Sequence, residues 1–137
     1  MTQALKIMIV DDDATTLAVV SAILEHQGHH VTQRDTALGT TRAILRDKPD
    51  VVLLDVRMPG LSGDKLAGLI ADESDTPPLL VLLSSSSRAE LEGLVRTSGA
   101  DGFIEKTSDA SEFVRRFDAV VVAARHAAAR RPAGPRR

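Results

Sequence analysis

Cysteine, tryptophan and tyrosine are missing from this chain, and phenylalanine occurs only three times in 137 residues. Without cysteine there is neither a disulfide framework nor a thiolate metal site, which is compatible with a reducing cytosol. No apolar run is long enough to cross a bilayer. The opening residues 1–6 lack the charged-then-apolar pattern of a secretory signal. These absences lead to the expectation of a soluble protein of the cytoplasm, with no membrane partner. The formal charge of −2 hides an asymmetry: five Arg and no acid lie from Arg125 onward, leaving −7 on the residues before it. An acidic body with almost no rings to stack on bases argues against nucleic acid as a partner.

What remains is an aliphatic chain, long enough for one domain with a real core. Its organising stretch is Val51-Val52-Leu53-Leu54-Asp55-Val56-Arg57-Met58-Pro59-Gly60. Four apolar residues in a row suit a strand buried on both faces of a parallel sheet, and Met-Pro-Gly then forces the chain out of regular structure. Further strands are expected over 6–10, 30–33 (partly polar, so at an edge), 79–83 and 102–105. Helices are predicted over 14–27, 37–47 and 64–73, from the capping residues at 87 to Gly99, and from the capping residues at 109 into the Ala-rich stretch 123–129. Expected inward positions are Leu17, Val20 and Leu24 on the first helix, and Leu38, Thr41, Ile44 and Leu45 on the second. Five strand–helix pairs imply an α/β fold: a doubly wound five-stranded parallel sheet with right-handed crossovers and five helices on its two faces. Residues 1–129 should form that domain. The Arg/Pro-rich stretch 130–137 should be a disordered tail.

The strands end on reactive groups. The first delivers Asp11 and Asp12, the third Asp55, the fourth Ser84 and the fifth Lys106. Open α/β sheets place their ligands at this edge. Clustered carboxylates either take protons at raised pKa or collect a hard cation, and three acids with a carbonyl form the incomplete oxygen shell that Mg²⁺ accepts. One carboxylate can then act as a nucleophile toward phosphorus, while a lysine and a hydroxyl answer charge on the transferred oxygens. Asp13 reads as a helix N-terminal acid. His26, His29 and His30 have no ligand-like partners and are expected at the surface.

The chain resembles the receiver domain of bacterial two-component response regulators over roughly residues 4–125. The resemblance is carried by Ile9-Val10-Asp11-Asp12, by Val52 through Asp55-Val56-Arg57-Met58-Pro59-Gly60 to Gly63, by Leu82-Leu83-Ser84, by Gly99-Ala100-Asp101-Gly102-Phe103, and by Lys106. It implies the flavodoxin-like strand order 2-1-3-4-5. It makes Asp55 the phosphoacceptor, served by a histidine kinase or a histidine phosphotransfer protein. It assigns Mg²⁺ (or Mn²⁺) to Asp11, Asp12, Asp55 and the Arg57 backbone carbonyl. Lys106 pairs with a phosphoryl oxygen, while Ser84 and Phe103 form the switch. The readout would be the fourth helix, last strand and last helix, a face that could also form a homodimer. A stand-alone receiver of this kind would assist its own phosphorylation and dephosphorylation and need no separate enzyme activity.

One departure stands out: the family's proline after the lysine is replaced by Thr107. A non-proline cis bond costs about 3 kcal/mol, so a trans Lys106–Thr107 bond is expected. Two rival readings remain open at this level. Asp11-Asp12-Asp13-Ala14-Thr15 fits the D-x-D-x-T motif of haloacid-dehalogenase-type phosphatases, with Asp11 as nucleophile. A non-phosphorylated pseudo-receiver acting as a binding module would share the fold.

Overall fold

Val51, Val52, Leu53 and Leu54 expose at most 1% of their surface, as an unbroken aliphatic run in the middle of a sheet should. In the computed structural model, which describes residues 3–58, 77–85 and 87–130, they belong to β3 (Val51–Asp55). Its companions are β1 (Lys6–Val10), β2 (His30–Arg34), β4 (Leu79–Ser84) and β5 (Gly102–Glu105). All four neighbouring pairs are parallel, in the order β2-β1-β3-β4-β5. Strand order reverses between β1 and β3, so the carboxyl ends of these two strands border the crevice where such sheets bind ligands.

Alternation along the strands divides the core into two layers. Ile7, Ile9, Val51, Leu53, Val81 and Leu83 face Leu17, Val20 and Leu24 of the helix Ala14–His26, together with Phe113, Phe117 and Val121 of the helix Ala110–Arg130. Met8, Val10, Val52, Leu54, Leu80 and Leu82 face the other way, onto Ala43 and Ile44 of the helix Thr40–Asp47 and, in part, Val95 of the helix Arg88–Ser98. Helices therefore cover both faces. Among the described residues there are four; the helix expected over 64–73 lies outside them, as do residues 131–137 of the expected tail.

Two aspartates extend the ladders at the amino edge of the sheet. Asp50 accepts the Lys6 N–H on Oδ2 (2.8 Å) and donates its own N–H to the Lys6 carbonyl (2.7 Å). Asp101 does the same with Leu80, at 2.8 Å in both directions. Each side chain satisfies a strand-leading donor that no neighbouring residue would otherwise meet.

The second helix begins at Thr40 rather than Ala37. Gly39 sits at φ +78°, and Arg34 reaches across to hold the loop, donating from Nη2 to the Leu38 carbonyl (2.7 Å) and from Nε to Thr40 Oγ1 (3.1 Å). Leu38 is consequently 87% exposed, not inward, and Thr40, Ala43 and Ile44 are the buried positions. A helical wheel extended back through a turn assigned Leu38 to the wrong face.

His29 is also corrected. It is 5% exposed, its Nδ1 accepts the Leu5 N–H at 3.0 Å, and its ring lies 5.6 Å from that of Phe117. Burial holds its pKa below the usual histidine range; Asp118 opposes that shift and His30 adds to it. The folded state thus keeps the ring neutral. As the pH falls through about 6.5, the unfolded chain takes up a proton that the fold refuses, so stability is lost on the acid side. Denaturant titrations at pH 7 and pH 5 should show a larger loss for the wild type than for His29→Gln, by up to about 1.4 kcal/mol per pH unit. Equal losses would show that His29 takes up its proton as readily in the fold as in the unfolded chain.

Candidate functional site

Val10 is wholly buried, and the next residue, Asp11, keeps the strand pairing by donating its N–H to the Arg34 carbonyl at 3.1 Å. Its carboxylate is carried into the interior and is 0% exposed. Asp11 Oδ1 accepts the Asp13 N–H (2.9 Å). Asp11 Oδ2 lies 2.9 Å from Lys106 Nζ but, in that geometry, receives no hydrogen bond. A buried carboxylate oxygen answered by charge alone suits an additional cation.

Asp55 ends β3 and is 6% exposed. Its Oδ1 accepts the Arg57 N–H at 3.1 Å, and its carbonyl accepts the Met58 N–H at 3.3 Å, so the chain turns tightly around the carboxylate. Asp11, Asp12 and Asp55 each bring an oxygen within 4.8 Å of the other two; Asp12 is exposed while the other two are buried. Burial pushes the Asp55 carboxyl pKa up and the charge of Asp11 adds to this, while the Arg57 N–H and Lys106 pull it back down. The three carboxylates lie close enough together to share a hard cation.

Asp13 takes no part in it. Its side chain caps the first helix, Oδ1 accepting the Thr15 N–H (3.1 Å) and Oδ2 the Thr16 hydroxyl (2.9 Å). Those bonds hold its carboxyl below the usual carboxylate range, with Lys106 contributing from nearby. The D-x-D reading needs Asp11 and Asp13 together, and the helix cap removes the second of them.

Ser84 closes β4 and is 1% exposed. Its carbonyl accepts the Lys106 N–H at 2.8 Å, which brings the ends of β4 and β5 to the same rim. Phe103 pairs in register with Leu82, is half-buried against the layer containing Leu54, and lines a cleft of about 570 Å³ with Val95, Arg88 and Arg116. No cis peptide occurs among the described residues, so Lys106–Thr107 is trans, as the missing proline required. The motif marks Thr107 only as a missing proline; in the fold its hydroxyl Oγ1 accepts the Asp109 N–H at 3.2 Å. A threonine two residues before a helix-capping aspartate was the signal available for it.

An acidic triad and a lysine meet at the switch point of a 2-1-3-4-5 parallel sheet, the edge where open sheets of this class bind ligands. The family model described as response regulator receiver domain matches residues 7–118, and the chain belongs to that family. Receiver domains are phosphorylation-dependent switches of two-component signalling rather than enzymes of the usual kind. The chain is 33% identical to the transcriptional regulatory protein CseB of Streptomyces coelicolor over 84% of its own length and 48% of CseB. It is 28% identical to the protein PilH of Pseudomonas aeruginosa, over 85% of this chain and 97% of PilH. Among solved structures, the BeF3-activated DrrB receiver domain superposes with a TM-score of 0.66 at 28% identity, covering 88% of this chain and 99% of that one. The chain thus spans about half the length of CseB. No helix among the described residues is long and apolar enough to cross a membrane.

Proposed function

We propose that Asp55 accepts a phosphoryl group from the phosphohistidine of a histidine kinase or histidine phosphotransfer protein, and that the acyl phosphate so formed shifts the receiver between two arrangements. The observation that carries this is the position of the Asp55 carboxylate: buried at the end of the central strand, within 4.8 Å of acids from β1's end, beside a lysine that neutralises part of the cluster. Asp11, Asp12 and Asp55, with the Arg57 carbonyl, would hold Mg²⁺ or Mn²⁺. The bound cation would supply neutralising charge for the phosphoryl oxygens.

An Asp55 oxygen attacks phosphorus as the P–N bond to the donor histidine breaks, and the imidazole leaves with the bonding pair. Burial and the neighbouring Asp11 raise the carboxylate's basicity and hence its nucleophilic character. Lys106 transfers its ion pair from Asp11 to a phosphoryl oxygen, and the Ser84 hydroxyl donates to another. The group adds nearly two negative charges. The arrangement in which Ser84 and Lys106 both reach it gains population, with Phe103 turning inward as Ser84 is drawn away. The surface made by the helix Arg88–Ser98, β5 and the C-terminal helix is then the readout, and a possible site of self-association. Residues 1–129 act as one receiver domain, working in the cytoplasm.

Labelling with acetyl phosphate tests the assignment. Asp55→Asn should lose covalent phosphate by at least about a hundredfold, whereas Asp11→Asn should retain the acceptor and lose metal dependence. Covalent phosphate retained on Asp55→Asn would overturn the assignment. A wild-type chain that takes up neither Mg²⁺ nor phosphate would instead be a binding module of this fold.

A further inference from the structure

Lys106 has to hold an ammonium 2.9 Å from Asp11 Oδ2 at the point where the chain leaves the sheet. The backbone before it is tied twice: Arg116 Nη1 donates to the Glu105 carbonyl (2.9 Å), and the Lys106 N–H donates to the Ser84 carbonyl (2.8 Å). After it, residues 107–109 cross to the start of the C-terminal helix. That helix is anchored by Phe113, 1% exposed, and capped by Asp109, whose Oδ1 accepts the Glu112 N–H (3.0 Å) and whose carbonyl accepts the Phe113 N–H (2.9 Å). The crossing is closed by the Asp109 N–H donating to Thr107 Oγ1 (3.2 Å). Thr107 therefore couples the residue next to the lysine to the capped start of a helix packed into the core.

We propose that Thr107 is a positioning residue for Lys106, its hydroxyl oxygen setting the height and direction at which the lysine enters the acidic site. The loop lacks the ring that would make it stiff, and a side-chain acceptor supplies the restraint instead. Thr107 and Lys106 also line one side of a cavity of about 300 Å³ against Thr15, Thr16 and Val19 of the first helix. An unrestrained loop has open space there into which to carry the lysine away from Asp11.

The kinetic consequence rests on the phosphoacceptor reading above; the geometric one does not, and two readouts separate them. Thr107→Val keeps the branched shape and removes the acceptor, and Thr107→Ser restores it. Loss of one such hydrogen bond corresponds to about a fivefold change in the population of the ordered loop. Acetyl phosphate labelling of Asp55 should slow by about that factor in Thr107→Val and recover in Thr107→Ser. In a Lys106→Met background the Thr107→Val effect should vanish, since a residue acting through another adds nothing once that one is gone. The second readout needs no phosphorylation: acylation of the Lys106 amine by an activated ester, followed by mass spectrometry, should rise by a similar factor in Thr107→Val only. Wild-type behaviour of Thr107→Val in both assays, failure of Thr107→Ser to restore either, or an undiminished effect without Lys106 would overturn the proposal. A wild-type chain that is never phosphorylated, yet shows the Thr107-dependent protection of Lys106, would overturn the phosphoacceptor reading and leave the positioning role standing.

Discussion

Lys106→Met should lower both the stability of the metal-free protein and its rate of phosphorylation, while Asp55→Asn should raise the first and abolish the second. The reason is the charge balance of one small site. Asp11 is 0% exposed, and its Oδ2 has the Lys106 ammonium 2.9 Å away and no hydrogen-bond donor. Removing one partner of a fully buried pair costs about 3–5 kcal/mol. The lysine side chain is 26% exposed, so solvent already screens part of that interaction, and a loss of about 2 kcal/mol is the better expectation, or roughly 8 °C in melting temperature. Asp55 stands on the other side of the balance. Its pKa is raised by burial and by Asp11, so its ionisation at neutral pH opposes folding, and replacing it with the neutral amide relieves the repulsion. An increase on the order of 1 kcal/mol follows for Asp55→Asn. Denaturant titration in chelator-treated buffer measures both. Two changes of the same sign would show that the site is not held together as described. The labelling rate of Lys106→Met should fall about a hundredfold, the usual cost of removing one preorganised charge from a developing anion.

Metal removal should produce an effect of similar size by a different route. With Mg²⁺ chelated, acetyl phosphate labelling should drop by at least about a hundredfold, because three carboxylates then repel the incoming phosphoryl oxygens. Adding Mg²⁺ should stabilise the wild type by about 2.7 kcal/mol when the free ion reaches a hundred times its dissociation constant. Asp12 and Asp13 are adjacent in the chain and differ sharply here. Asp12 belongs to the acidic triad, while Asp13 caps the first helix. Asp12→Ala should therefore eliminate most of the Mg²⁺-dependent stabilisation. Asp13→Ala should keep it and lose about 1 kcal/mol of stability with or without metal, the usual cost of an N-cap. Thermal melts of the two variants with and without Mg²⁺ decide the matter, and identical metal responses would contradict the division of labour between them.

The boundary between what was legible in the chain and what was not follows the range of the forces involved. The aliphatic runs 51–54 and 79–83 could only be strands covered on both sides, because nothing in them can face water. A proline, a glycine or a capping residue interrupts the chain between elements, and each acts within a few residues of itself. The acids and the lysine were placed at one edge by that alternation alone, since parallel strands with helical crossovers must all finish on the same side. The side-chain partners were decided in three dimensions. Whether Asp11 or Asp13 enters the site depends on which one the helix start claims, and Asp13 is claimed through Thr15 and Thr16. His29 is indistinguishable in sequence from its exposed neighbour His30; it is buried because the Leu5 N–H, 24 positions away, needs an acceptor beside Phe117. Leu38 fits a helical face and is exposed because Arg34 pulls its loop outward. Local stiffness and hydrophobic period are properties of the sequence itself, whereas the pairing of buried polar atoms exists only once distant strands and helices have met.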